Sequence, residues 1–198
     1  YDYDTRGNLI KVTYAKGTPE SASERYEYDN AGNQTAVIDA NGMRTEYQYD
    51  SMNRVIKTIM TGGMGQPTTE KLEYDKVGNV TAKIDAVGNR TEFSYDKMNR
   101  LVKTILPDPD GSGKATSPVI TNTYDAVGNL ISTTDPEGRT SKNFYDSRNR
   151  LVKSNDPQGN GTSYRYDAKN QLIATIDPLG NRTTFQYDAR GRKISDTD

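Results

Sequence analysis

No cysteine, histidine or tryptophan occurs among the 198 residues. Without cysteine there are no disulfides to stabilise the fold, and redox chemistry says nothing of the compartment. Without histidine or cysteine, the Ser-His base pair and the cysteine nucleophile are both excluded. Apolar residues are scarce: 32% of the chain is hydrophobic and the mean hydropathy is -0.92. That is poor material for a compact core, and no apolar run approaches the roughly 20 residues of a membrane-spanning helix. Nor is there an excess of one charge. A net charge of -1 and a pI of about 5.6 predict no attraction to nucleic acid or anionic membranes.

What the chain has is tyrosine, 14 of them, and most fall in a repeated dipeptide. Tyr-Asp begins at Tyr3, Tyr28, Tyr49, Tyr74, Tyr95, Tyr124, Tyr145, Tyr166 and Tyr187, at intervals of 25, 21, 25, 21, 29, 21, 21 and 21 residues. A 21-residue unit therefore runs the length of the chain, with inserts of 4, 4 and 8 residues. An unbroken period argues for one repetitive body over residues 1–198, of about eight units. The periodicity, together with the Tyr, Val, Ile and Thr content, argues against disorder. The chain opens in repeat phase at "YDYDTRGN" with no initiator methionine, which reads as an excised fragment.

Each unit carries two turn signals. One follows tyrosine, as in "DKVGN" (75–79) and "DKMNR" (96–100); the other lies mid-repeat, as in "DAVGN" (85–89), "DPEGR" (135–139) and "DPLGN" (177–181). Asp stands first and Gly or Asn fourth. A type I turn favours Asp at its first position, where the carboxylate accepts a backbone N–H, and a residue tolerant of φ > 0 at the fourth. Gly88, Gly138 and Gly180 fill that place without steric cost. Between turns remain segments of about six or seven residues, strand length rather than helix length. In "RTEFSY" (90–95) and "RTEYQY" (44–49) aromatic and polar residues alternate, the mark of an antiparallel strand. The other strand, "LVKTI" (101–105) or "LIATI" (172–176), is branched but alternates less cleanly. The predicted architecture is all-β: a meander of hairpins with up to 17 strands.

A parity problem follows. If every turn were the same type I turn with a Gly or Asn bulge, a residue would face one about 22 positions ahead two strands later, against a repeat of 21. Successive units would then present opposite faces. Identical turns alone do not satisfy the pattern: each basic unit must contain one different turn or one additional β-bulge. The inserts, near 14–24, 60–70 and 106–119, are rich in Gly, Pro, Ser and Thr and read as loops on one rim.

Smaller motifs are weak. "DPDGSG" (108–113) looks like a calcium loop, but its twelfth position is Val119 rather than Glu. Acceptor patterns for glycosylation at Asn33, Asn79, Asn89, Asn160 and Asn181 mostly follow from the turn motif itself. Paired carboxylates could cleave a glycoside, but turns already account for the aspartates, and an active site is one exceptional place. No catalytic, metal or cofactor residue is assigned. Tyr28-Asp29, Tyr49-Asp50, Tyr74-Asp75, Tyr95-Asp96, Tyr124-Asp125, Tyr145-Asp146, Tyr166-Asp167 and Tyr187-Asp188 are assigned as structural repeat positions, with the turn glycines Gly88, Gly138 and Gly180.

Units of the form Y-D-x-x-G-N-L-I-x-x-x-D-P-x-G-x-x-x-x-x-Y-D resemble the YD repeats of bacterial Rhs proteins. Such repeats also occur in wall-associated proteins, insecticidal toxin-complex subunits and teneurins. Phe93-x-Tyr95-Asp96, Tyr164-x-Tyr166-Asp167 and Phe185-x-Tyr187-Asp188 carry the likeness, while Asn122 and Asn143 depart from it by replacing the first aromatic. The resemblance implies a long, curved, spiralling open sheet, part of a hollow shell that encloses a C-terminal effector. It also implies a secreted or cell-surface location and neighbouring repeats as partners. The autoproteolytic segment of some such proteins has no counterpart here, since "DPLGN" at 177–181 is an ordinary repeat turn. A structural shell segment is the first reading. A carbohydrate- or protein-binding module is the second and a glycosidase a remote third. Self-association through strand edges and the aromatic face, which is expected on the concave side, is a further expectation.

Overall fold

The computed structural model describes residues 1–17, 21–62, 65–111 and 116–197. Its described secondary structure is strand and turn, and the strands belong to one open antiparallel sheet. They are β1 (Asp2–Tyr3), β2 (Leu9–Tyr14), β3 (Ala22–Tyr28), β4 (Gln34–Ile38), β5 (Arg44–Tyr49), β6 (Val55–Thr61), β7 (Thr68–Tyr74), β8 (Val80–Ile84) and β9 (Arg90–Tyr95). Then come β10 (Leu101–Ile105), β11 (Val119–Tyr124), β12 (Leu130–Thr134), β13 (Thr140–Tyr145), β14 (Leu151–Asn155), β15 (Gly161–Tyr166), β16 (Leu172–Ile176), β17 (Arg182–Tyr187) and β18 (Lys193–Thr197). The sequence pattern allows 17 strands; the eighteenth is the two-residue β1, half of a hairpin with β2. The chain divides into two compact units. The first is Tyr1–Phe93 with Leu106–Thr116, and the second Ser94–Ile105 with Ser117–Asp198.

The turns of both kinds are alike. At Asp146, its N–H donates to the Arg150 carbonyl at 3.0 Å while Asn149 N–H donates back to Asp146 at 3.0 Å. At Asp135 the same pair of bonds joins Arg139 and Gly138, at 2.9 and 3.0 Å. The fourth residue lies in the left-handed region in both, Asn149 at φ 59° and Gly138 at φ 80°. This is the three-residue hairpin loop closed by a left-handed residue. Asn serves where Gly is absent because its short polar side chain tolerates that region best among other residues.

Parity is restored by a bulge. Ser132 pairs with Lys142, which pairs with Asn155, so the partner two strands on lies 23 residues ahead. That differs from the 21-residue repeat by two, so equivalent side chains stay on one face. The extra residue is Val152, between Tyr145↔Leu151 and Phe144↔Lys153. The same shift places Ile10, Thr35, Ile56, Thr81, Ile131, Ile173 and Ile194 as bulge residues. Mid-repeat hairpins run without a shift.

The inserts are shorter loops than their composition suggests. Tyr14 pairs with Ala22, and Met60 with Thr68, so much of 14–24 and 60–70 extends the flanking strands. All three lengthen the chain by an even number of residues, which leaves the facing of later strands unchanged. Positions 18–20, 63–64 and 112–115 of the inserts, and with them part of the "DPDGSG" motif, lie outside the described residues.

Burial among the described residues is thin, as strands drawn into a single sheet lead one to expect. Val12, Ala36, Ala82 and Ala174 alone among the described residues form a buried apolar set. The three alanines lie on the polar face. Ala36 sits between Glu27 and Glu46, and Ala82 between Glu73 and Glu92. Over Ala82, Arg90 donates two bonds of 2.7 Å to Glu73 and one of 2.8 Å to Glu92. Arg44 repeats this clamp with Glu27 and Glu46. Only a small side chain leaves the guanidinium room to cross. Ala82→Leu is therefore expected to cost about 1–3 kcal/mol by overpacking and loss of the clamp, measured by urea unfolding against Ala82→Gly.

Candidate functional site

The residues singled out by repetition hold hairpins together. Each Tyr-Asp tyrosine with a described partner donates its hydroxyl to the carbonyl that begins the second strand of the preceding unit. The bonds run from Tyr28 to Leu9, Tyr49 to Gln34, Tyr74 to Val55 and Tyr124 to Leu101. They continue from Tyr145 to Leu130, Tyr166 to Leu151 and Tyr187 to Leu172, the whole set spanning 2.7–3.1 Å. The accepting carbonyl lies beyond the last rung of the ladder on that side: β14 pairs with β15 from Lys153 onward, leaving Leu151 outside. The phenol supplies the donor that the departing strand cannot.

Each aspartate serves its own turn. Asp146 Oδ1 accepts from the N–H groups of Arg148 at 2.9 Å and Arg150 at 3.1 Å, while Oδ2 accepts from Arg150 Nε at 2.8 Å. The Arg150 side chain, against opposing desolvation and aided by the backbone bonds, lowers the Asp146 carboxyl from 3.8 to about 2. At Asp177 the partner of Oδ2 is Asn181 Nδ2 at 2.7 Å, and that bond leads in holding the carboxyl below its ordinary value. The amides of Asn33, Asn79, Asn89 and Asn160 are engaged in the same way, with Asp29, Asp75, Asp85 and Asp156. Four turn glycines, Gly88, Gly138, Gly159 and Gly180, have φ between 80° and 95°.

A component that the repeat count alone does not suggest is the fifth turn residue. Arg54, Arg100 and Arg150 lie over the rings of Tyr74, Tyr124 and Tyr166, 4.5–4.8 Å from their centroids. Each also reaches the carbonyl of the next Asp: Asp75 at 2.9 Å, Asp125 at 3.1 Å and Asp167 at 3.2 Å. Where Asn takes that place it spans to the next turn by an amide bond, Asn33 to Asn53 at 2.9 Å and Asn129 to Asn149 at 3.2 Å. The signal was present in the motifs as alternation between "GN" and "NR".

Departures on the aromatic face are also structural. Asn122 and Asn143, which replace aromatics, donate to the carbonyls of Leu101 and Leu130, sharing them with Tyr124 and Tyr145. Their side-chain oxygens accept from Thr133 at 2.9 Å and Ser154 at 2.8 Å. Among the described residues one polar atom is left over: Asn155 Oδ1 is buried with no partner, where other units have Ile38, Ile84, Ile105 and Ile176, and one has Thr134. Asn155→Ile is expected to raise stability by about 1 kcal/mol, because an unsatisfied buried acceptor costs about 1–3 kcal/mol. Thermal and urea unfolding check it, and a loss of stability would contradict the reading.

Among the described residues no cluster of three acidic, His or Cys side chains could hold a metal ion. Glu24, away from any turn, accepts from Tyr26 at 2.7 Å and Tyr14 at 3.3 Å, and its bond leads in pushing the Tyr26 phenol up to about 12.

The RHS repeat family model matches residues 28–63, 74–112, 124–160, 145–181 and 166–198. The chain belongs to the RHS repeat family. No curated protein matches it. Among solved structures, one entitled "Crystal Structure of TcdB2-TccC3-Cdc42" superposes with a TM-score of 0.79 at 18% identity, over 98% of this chain and 12% of the other. "Crystal Structure of TcdB2-TccC3" gives 0.77 at 19% identity, over 96% and 11%. The Tc holotoxin pore of Photorhabdus luminescens with TccC3-D651A gives 0.55 at 15% identity, over 98% and 16%. At such identities the likeness is one of fold, and the RHS repeat chain spans only a small part of each of these proteins.

Proposed function

We propose that this RHS repeat chain is a non-catalytic strip of a shell that encloses a C-terminal effector domain and helps deliver it. The shell would belong to a secreted or cell-surface toxin of the polymorphic class. One observation carries the reading. The groups that could do chemistry are spent repeat after repeat on structure: the turn carboxylates hold their own turns, and the tyrosine phenols hold each hairpin to the one before it. A structure built by repetition, with no unit chemically exceptional, is a wall material. The family membership and the fold shared with proteins entitled TcdB2-TccC3 and Tc holotoxin support the same direction. Neighbouring repeats would pair with the edges of β1 and β18, whose partners among the described residues are β2 and β17.

The test uses the full-length protein with a site-specific protease sequence placed just after the last repeat. An enclosed effector leaves that site uncut under native conditions and cleaved once the repeats are unfolded by acid. Equally fast cleavage in the native protein would refute enclosure. Hydrolysis of a polysaccharide by the isolated chain, abolished by one Asp substitution, would refute the non-catalytic part.

A further inference from the structure

The face opposite the Tyr-Asp tyrosines differs between the two compact units. In the first it carries Glu27, Glu46, Glu73 and Glu92 beside the cations Lys11, Arg25, Arg44, Lys57, Lys71 and Arg90, of which Arg44 and Arg90 are clamped to the glutamates. In the second, registers place Lys103, Lys142, Lys153, Arg165 and Arg182 on the same face. The strand positions of that face hold no Asp or Glu. Where the first unit has its four glutamates, the second has residues such as Lys142, Phe144 and Arg165. Lys142, Lys153, Arg165 and Arg182 are exposed, and Phe144 is 45% exposed. Among the described residues, none of the five cations has a side-chain hydrogen bond or ion pair; Lys11, Arg25, Lys57 and Lys71 of the first unit have none either, but they share their face with glutamates, which that face of the second unit lacks.

Phe144 pairs across the ladder with Lys153, which pairs with Ser163, two residues from Arg165, while Lys142 lies two residues from Phe144. The result is an aromatic residue with one cation across the ladder, a second two residues away on its own strand and a third two strands on, all on one face. In a chain of net charge -1, this segregation is local. We propose that this face of the second unit docks an acidic polypeptide surface, with Phe144 as the apolar anchor and Lys142, Lys153 and Arg165 meeting Asp and Glu side chains. Arginine and one aromatic at the centre of a polar field is the composition of a protein contact. Single-stranded nucleic acid calls instead for successive aromatic platforms along a basic groove, and this face has one aromatic. Complementary charge would set the approach and register of the partner and weaken with salt.

The experiment measures anisotropy of fluorescein-labelled polyglutamate titrated with the chain at low and high salt, with oligo-dT of similar charge as comparator. Binding to polyglutamate is expected at low salt. It should fall about tenfold or more in the triple variant Lys142→Glu, Lys153→Glu, Arg165→Glu. The neutral triple Lys142→Gln, Lys153→Gln, Arg165→Gln should lose less, and serves if the reversed variant fails to fold. The control Lys76→Glu, Lys97→Glu, Lys169→Glu makes the same charge change at exposed turns and should bind as the wild type does. Absence of binding at low salt, equal loss in the control, or tighter binding to oligo-dT would each overturn the proposal.

Discussion

Truncating Tyr166 to alanine should destabilise the chain by about 3–5 kcal/mol, the range for loss of a large aromatic that packs and bonds. Three contributions go together. The ring leaves a gap in the aromatic face, the hydroxyl bond of 2.9 Å to the Leu151 carbonyl is lost, and Arg150 loses the ring it lies over at 4.8 Å. The arginine contact couples two turns, since Arg150 also binds Asp146 and the Asp167 carbonyl. A double-mutant cycle with Arg150→Ala should therefore return a coupling of about 0.5–1 kcal/mol or more. Urea unfolding of the four proteins measures it. Additive losses would mean that the stacking seen at Tyr74, Tyr124 and Tyr166 contributes nothing.

The second large effect is acid unfolding. Turn aspartates have carboxyls held below 3.8 by their turns, Asp146 reaching about 2. A depressed folded-state value means that the stability it contributes is complete above the unfolded value near 3.8. That contribution is lost as pH falls toward the folded value. With such a group at turn after turn, the losses accumulate in one narrow window. The β signal in circular dichroism should hold at pH 5, decline between pH 3.8 and about 2, and recover on return to neutral pH. The direction is fixed, since protonation removes the charge of the carboxylate that accepts two N–H groups in each turn, and the bonds weaken with it. A chain equally stable at pH 2 and pH 6 would show that the carboxylates do not hold the turns.

The fold was legible because every unit states its turns in the same residues. Asp first and Gly or Asn fourth is a demand of backbone geometry, and Asn149 at φ 59° meets it as Gly138 at φ 80° does. The parity argument narrowed the remaining freedom to a different turn or a bulge. The sequence left that choice open, and the registers decide it for the bulge; its trace in the sequence is the strands that alternate poorly. Leu151-Val152, Leu172-Ile173 and Val55-Ile56 are adjacent apolar residues because the second of each pair is the bulge. The inserts were less legible: Gly and Pro mark where a hairpin reverses but not how far its strands extend first, so Met60 and Thr68 read as loop. The arginine stacking and the clamps over Ala36 and Ala82 were not legible from the period alone. They depend on which residues become neighbours across strands, as with Glu73 and Arg90 on either side of β8. The charge difference between the two units needs the same knowledge, because only the register separates Lys142 and Lys153 from the acidic turns around them.

The central claim is that Tyr-Asp is a repeated fastening rather than a reactive pair, and a set of Tyr→Phe variants tests it most directly. Phenylalanine keeps the ring and removes only the hydroxyl. At Tyr166 and Tyr187 the Leu151 and Leu172 carbonyls would lose the phenol donor, at a cost of about 1–2 kcal/mol each. At Tyr124 and Tyr145 the carbonyls keep a donor in Asn122 and Asn143, so the cost should be about half as large. Urea midpoints for the four variants should fall in those two pairs with the slope unchanged. Four variants as stable as the wild type, or one that alone abolishes an activity while leaving stability intact, would contradict the account.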